Sequence, residues 1–247
     1  MKNWFYGFFM AWGMFLSIPC PFPKWREEAR TQMTACLPLV GGIIGGLWAL
    51  LAWGAQALEC PQGPASLVLA FFPWLCTGFI HLDGFMDVCD AVLSRRDLPE
   101  RQRILKDSHC GAFAVICVCL LTLAQWVMFF SAKKPALLPL AMLPVVTRGC
   151  AGLAVLSLRP MQSSQYAKAR TKSVSARVVL YILLTAALAL PFVIDGWRGL
   201  AGLAAAGVYW LAALSAKRQL GGMSGDVSGF ALCLAEFAGA AILCLWR

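Results

Sequence analysis

Thr31–Leu58 reads TQMTACLPLVGGIIGGLWALLAWGAQAL, 28 residues without one Asp, Glu, Lys or Arg. About 20 apolar residues cross a bilayer's hydrocarbon core, so this run is long enough to span one. Its centre, Gly41-Gly42-Ile43-Ile44-Gly45-Gly46, lets a second helix approach closely. Further charge-poor runs follow at Pro61–Leu82, Ser108–Ala132, Pro135–Leu158 (broken only by Arg148), Val178–Ile194, Gly199–Ala216 and Gly229–Trp246 (broken only by Glu236). Seven spans are expected. Composition agrees: of 247 residues 60% are hydrophobic and 13% charged, about half the charge of a soluble domain. That excludes an ordinary cytosolic domain and a disordered chain. The expectation is an all-α, polytopic integral membrane bundle forming a single domain over 1–247.

Asn3–Ile18 is apolar and aromatic and stops at Pro19, Pro21 and Pro23. It lacks a basic region beyond Lys2 and a small-residue cleavage site, so a retained interfacial or re-entrant helix anchored by Trp4, Phe5, Tyr6 and Trp12 is expected. Most of the eleven cysteines, such as Cys117, Cys119, Cys150, Cys233 and Cys244, lie in apolar runs, where they serve as small hydrophobes. None has zinc-site spacing with a histidine.

Orientation follows from the basic residues. If Lys24, Arg26 and Arg30 are cytoplasmic, alternation puts the loops at 83–107, 159–177 and 217–228 on the same side. These carry Arg95, Arg96, Arg101, Arg103, Lys106, Arg159, Lys168, Arg170, Lys172, Arg177, Lys217 and Arg218. Fifteen of the 21 basic residues then face the cytoplasm, as the positive-inside rule requires. Lys133, Lys134, Arg198 and Arg247 fall opposite. The net charge of +9 thus reads as orientation and attraction to anionic lipid. No basic run is interleaved with aromatics, so nucleic acid is not an expected partner.

Chemistry concentrates in His81-Leu82-Asp83-Gly84-Phe85-Met86-Asp87-Val88-Cys89-Asp90. Asp83, Asp87 and Asp90 are spaced i, i+4, i+7, within about 60° on a helix. Like charges there repel, a cost that a hard cation such as Mg²⁺, Mn²⁺ or Ca²⁺ would remove. A solvated acidic helix start would show the same spacing. Asp107 follows in Lys106-Asp107-Ser108-His109-Cys110-Gly111, as a further ligand or as a helix N-cap. Arg95, Arg96 and Arg103 lie between the two acidic groups; a metal with arginines is what phosphoryl transfer needs.

A second polar island is Lys217-Arg218-Gln219-Leu220-Gly221-Gly222-Met223-Ser224-Gly225-Asp226. Its glycines allow backbone approach to an anion at a helix start, or merely a turn; it is not a P-loop. Glu236, one or two turns into the next span, and Arg148 are ionisable groups within the membrane. They form either a structural ion pair or part of a substrate site.

In these stretches the chain resembles the cobalamin synthase family, the adenosylcobinamide-GDP ribazoletransferases. The resemblance rests on Phe15–Pro23, Leu37–Gly46, His81–Asp90, Lys106–Phe113, Arg148 with Tyr166-Ala167-Lys168, and Leu220–Glu236, in order along nearly the whole chain. The family usually has Gly where Ala91 stands, Leu-Ala where Phe85-Met86 stands, and Thr where Ser224 stands; every carboxylate is kept. The resemblance implies a single transmembrane catalytic domain in the cell inner (cytoplasmic) membrane, with its active-site loops on the cytoplasmic side. It implies a Mg²⁺-dependent transfer joining adenosylcobinamide-GDP to α-ribazole or its 5′-phosphate, releasing GMP, late in cobalamin biosynthesis. Asp83, Asp87, Asp90 and Asp107 would be the catalytic, metal-holding carboxylates. The substrate-binding set would be His81, Arg95, Arg96, Lys106, Ser108, Arg148, Lys217, Arg218, Gly221, Gly222, Gly225, Asp226 and Glu236.

Two alternatives stand beside this. A membrane phosphotransferase of the CDP-alcohol type also clusters aspartates at a helix end, but its Asp-Gly-x-x-Ala-Arg signature is absent. A polytopic transporter would use Glu236 and Arg148 along an ion path, but no inverted repeat is seen. A homo-oligomer is compatible with the sequence, which does not fix the oligomeric state.

Overall fold

The computed structural model describes residues 2–132, 135–161 and 173–245. Among the described residues there is no strand, only one isolated bridge between Pro160 and Met223. The helices are α1 (Lys2–Phe15), α2 (Arg30–Ala35), α3 (Leu37–Ala57), α4 (Gln62–Cys76), α5 (Ile80–Leu93), α6 (Leu98–Ile104), α7 (Ala112–Ser131), α8 (Leu137–Ser157), α9 (Val174–Asp195), α10 (Leu200–Leu220) and α11 (Gly225–Leu245). Lys133, Lys134, Tyr166, Ala167, Lys168, Arg170, Lys172 and Arg247 of the sequence reading lie outside the described residues.

α8 is the central helix, packed by α3, α9, α10 and α11. Its closest neighbour is α3. A Cβ on Gly41 would overlap the backbone oxygen of Pro144, and one on Gly45 that of Ala141. The glycine-rich run therefore does what its composition predicts: it brings two backbones into direct contact, where dispersion replaces a hydrophobic driving force absent in lipid.

Among the described residues, five helical stretches are long and apolar enough to cross a membrane, or six if the bent pair α4–α5 is one span. One of the five is Val174–Leu220, 47 residues, about 70 Å if straight against a core of ~30 Å. It is not straight. Gly196 ends α9 at φ +62, and a Cβ on Gly202 would meet Leu188 at 3.1 Å, so the chain folds back there. Counted as two passages, the stretch would bring the total to the seven expected. These apolar helices make the chain a multi-pass membrane protein.

The expected span Pro61–Leu82 is corrected: α4 stops at Cys76, and α5 leaves at 87° to it. Gly78 and Phe79 both adopt positive φ, +58 and +63, a conformation glycine accepts freely and phenylalanine at a cost of ~1 kcal/mol or more. Thr77 bonds back to the Pro73 carbonyl at 3.0 Å. The carbonyls left at the end of α4 are taken by Ser17: its N–H reaches Cys76 O at 2.8 Å and its hydroxyl Leu75 O at 2.9 Å. The proline-rich segment after α1 thus caps α4. The segment 83–107, read as a loop, is largely the helices α5 and α6, and Lys217 and Arg218 are the last turn of α10 rather than loop residues. α1 has 14 residues, about 21 Å, too short to cross alone, and it packs on α2 and α3.

Candidate active site

Helix α5 is two-faced. Leu82, Phe85, Val88 and Cys89 are buried, and Phe85 stacks on Phe230 of α11 with centroids 5.6 Å apart. Asp83, Asp87 and Asp90 lie on the other side, as their spacing requires. α11 crosses α5 at two glycines. A Cβ on Gly84 would meet Asp226 Cα at 2.8 Å, and one on Gly229 would meet the His81 carbonyl oxygen at 2.9 Å. This contact carries Asp226, from the first turn of α11, to the acidic face. The charges of Asp83, Asp226 and Asp90 all act on Asp87. Ser224 starts α11: its hydroxyl accepts the Val227 N–H at 3.2 Å and donates to Asp226 at 3.3 Å. A serine keeps the hydroxyl that a threonine would supply here.

Asp90 has a role that spacing did not reveal. Its two oxygens accept the N–H groups of Gly111 at 2.6 Å and Ala114 at 2.9 Å, so it caps α7 across the intervening loop. Asp107, the N-cap suggested for that helix, does something else. It accepts both the backbone N–H of His109 at 3.0 Å and its Nδ1 at 2.7 Å, with Arg103 4.0 Å away. The His109 hydrogen bonds, aided by Arg103, hold the Asp107 carboxyl below the usual carboxylate range. The span read from Ser108 accordingly begins at Ala112.

Two cavities of about 340 Å³ each meet here. The acidic one is lined by Asp83, Asp87, Asp90, Asp107, Ser108 and His109. The other runs inward past His81, Gly225, Asp226 and Ser228 to Arg148. Asp83, Leu105 and Lys106 line both. Lys106 is therefore the basic residue common to both cavities. The other expected clamps stand apart: Arg95, Arg96, Lys217 and Arg218 line neither cavity. Gly221 is the left-handed C-cap of α10, and Gly222 lies against Pro160 and Met161. Met161 N–H donates to Met223 O at 2.9 Å and Met223 N–H to Arg159 O at 2.9 Å, tying this loop to the end of α8. α6 adds to the same end of the bundle: the Gln102 amide donates to Leu220 O at 2.8 Å. The segments around 83–107, 159–161 and 221–226 therefore gather at one end, as the loop alternation predicts.

Arg148 and Glu236 form an ion pair, 2% and 3% exposed. Thr147 donates to the same Glu236 oxygen at 3.2 Å. Glu236 lies three turns into α11, deeper than one or two, because the helix begins at Gly225. Among the described residues, Arg148 Nε and Nη2 and His81 Nε2 are buried without hydrogen-bond partners. The ion pair and the substrate cavity are thus one structure: Arg148 belongs to both. Sequence reasoning missed Phe15, Gly84, Gly111, Ser228 and Gly229, residues whose importance comes only from what faces them.

Among the described residues, no three of His, Cys, Asp and Glu form a self-sufficient metal group. The donor chemistry nonetheless fits a hard ion. Among the described residues the carboxylates of Asp83 and Asp87 make no hydrogen bond or ion pair, and Mg²⁺ typically takes one or two carboxylates plus substrate phosphates.

A sequence model described as cobalamin-5-phosphate synthase matches residues 7–244. The chain is similar to the adenosylcobinamide-GDP ribazoletransferase of Clostridium botulinum (strain Alaska E43 / Type E3), 36% identical with 100% of both chains covered. It is similar to that of Clostridium perfringens (strain 13 / Type A), 36% identical over 98% of this chain and 99% of the other. It is also similar to that of Geobacillus kaustophilus (strain HTA426), 32% identical over 93% and 91%. No solved structure matches. With the acidic helix α5 and the start of α11 meeting at one end of a helical membrane bundle, and a match along almost the full length, the chain belongs to the cobalamin-5-phosphate synthase family.

Proposed function

We propose that this membrane transferase joins adenosylcobinamide-GDP to α-ribazole, or to its 5′-phosphate, and releases GMP. The observation that carries the reading is Asp83: it stands where the acidic cavity meets the inner one, beside Asp87 and Asp226. A donor diphosphate in the first cavity and an acceptor hydroxyl in the second would meet at this residue. The acceptor oxygen forms a bond to the phosphorus nearest the cobinamide, the bond from that phosphorus to the bridging oxygen breaks, and GMP leaves. The hydroxyl proton passes to a carboxylate of the cluster.

Mg²⁺, held by Asp83 and Asp87 within a rim completed by Asp90 and Asp107, would neutralise charge on the diphosphate oxygens. Lys106 approaches the same oxygens as a point charge. Arg95, Arg96, Lys217 and Arg218 lie outside the cavities and would attract an anionic substrate rather than clamp it. In this reading the site end of the bundle faces the cytoplasm, at the inner membrane, which the positive-inside bias of the sequence supports. GMP release from adenosylcobinamide-GDP and α-ribazole by the purified, folded protein, with Mg²⁺ present or chelated, is the test. Turnover is expected only with the metal; absence of GMP under both conditions refutes the reading.

A further inference from the structure

The inner cavity is built for something other than a diphosphate. Its walls are largely apolar, with Phe15, Leu37, Val40, Met161 and Leu232 among them. Phe15 and His81 present stacked rings, 16° apart in plane and 5.9 Å between centroids. His81, Arg148 and Ser228 add polar side chains to these walls. A few polar groups in an apolar lining suit a ligand that is mostly apolar but carries hydroxyls. At about 340 Å³ the cavity sits at the low end of small-molecule sites, ~300–1,000 Å³. A corrin ring with its side chains exceeds that volume; a nucleoside fills it. A guanine base would leave its donor and acceptor edges unpaired against apolar walls, which disfavours the leaving nucleotide as occupant.

We infer that this cavity receives the acceptor nucleoside, with its flat apolar base against the Phe15–His81 wall and sugar hydroxyls toward Arg148 and Ser228. This rests on the transferase reading above and assigns its two substrates to separate cavities. The reacting hydroxyl then lies at Asp83, at the mouth shared with the acidic cavity. The corrinoid itself stays outside the bundle, and only its diphosphate enters.

Steady-state GMP release in detergent tests the assignment, with each substrate varied in turn. Ala151 lines the cavity and is 4% exposed. Ala151→Leu is expected to raise KM for the acceptor by about tenfold, a methylene-scale steric effect, while KM for the corrinoid diphosphate stays within about twofold. An acceptor carrying a one-ring base should lose less than one carrying a two-ring base. Val155→Ala, which enlarges the same wall, should shift preference toward a bulkier base and guards against an Ala151→Leu protein that fails to fold. Equal effects on both KM values, or an effect on the corrinoid diphosphate alone, overturn the assignment, as does unchanged base preference in both variants. If the wild-type protein releases no GMP, the transferase reading itself falls; normal wild-type turnover with unchanged preference removes only the cavity assignment.

Discussion

Asp90 holds Gly111. The carboxylate on α5 accepts the Gly111 N–H at 2.6 Å, and a Cβ on Gly111 would lie 2.6 Å from Asp90 Oδ1. Any side chain at 111 thus displaces the cap of α7 and, with it, one member of the acidic rim. Loss of a helix cap costs typically ~1 kcal/mol. Asp90→Asn and Gly111→Ala should each lower the thermal midpoint in detergent, and should do so without changing the Mg²⁺ concentration that gives half-maximal turnover. A large rise in that concentration for Asp90→Asn, with stability unchanged, would mean that the residue serves the ion directly.

Asp87→Asn should behave in the opposite way. Asp87 sits among the charges of Asp83, Asp226 and Asp90, so removing its charge relieves repulsion and leaves stability equal or higher. Turnover should fall by about 100-fold or more, the scale of a lost electrostatic group at a reaction centre. The same is expected of Asp83→Asn. Full Mg²⁺-dependent turnover in either variant sinks the metal assignment.

Arg148 and Glu236 are a buried pair, and breaking such a pair from one side typically costs 3–5 kcal/mol because the remaining charge is stranded. Glu236→Gln is therefore expected to be strongly destabilised. The double variant Arg148→Met, Glu236→Leu should recover most of that stability, since a well-packed apolar pair often matches a buried ionic one. Activity separates the roles: the double variant should fold yet bind acceptor poorly, because it lacks the guanidinium side chain that lines the inner cavity. A stable double variant with normal acceptor KM would falsify a substrate role for Arg148.

The membrane bundle and the acidic face were legible because both depend on local periodicity. Thr31–Leu58 announces a span by length, and Asp83, Asp87 and Asp90 share a face by spacing alone. What faces that side was not legible. Gly84 and Gly229 are ordinary small residues until α11 crosses α5, and only then do they bring Asp226 to the cluster. The break of α4 at Cys76 was missed because Gly78 and Phe79 lie inside an apolar run, and hydropathy does not register a left-handed backbone. The partner of the freed carbonyls, Ser17, lies 58 residues from Leu75 in sequence. Arg95, Arg96, Lys217 and Arg218 were grouped with the site because they are near it in the chain, yet the turn between α5 and α6 and the last turn of α10 hold them outside the cavities.

Acid sensitivity should trace in part to Asp107. Hydrogen bonds from His109, with Arg103 nearby, depress its pKa in the folded protein. A carboxyl depressed on folding contributes stability that is fully present above its unfolded pKa, about 3.9, and is lost as pH falls through the lower folded value. The thermal midpoint of the wild-type protein should therefore fall more steeply below about pH 4 than that of Asp107→Asn. Because the group is solvent-exposed, the difference should also shrink as salt is added. Parallel curves for the two proteins at low salt would remove Asp107 from the account.

The contact between α3 and α8 gives the most severe structural test. A Cβ on Gly45 would overlap the Ala141 carbonyl oxygen, which belongs to backbone and cannot swing aside as a side chain does. Gly46, its neighbour, has nothing within 4 Å of its own Cβ position. Gly45→Ala should separate the two helices and lower the thermal midpoint by several degrees or abolish folding, since overpacking commonly costs ~1–3 kcal/mol. Gly46→Ala should be neutral or slightly stabilising, because alanine is the better helix former by up to ~1 kcal/mol. The two substitutions are chemically identical and adjacent, so helix propensity and hydrophobicity predict the same result for both. Only the interhelical contact predicts opposite signs, and equal midpoints for the two variants would show that α3 and α8 do not meet at Gly45.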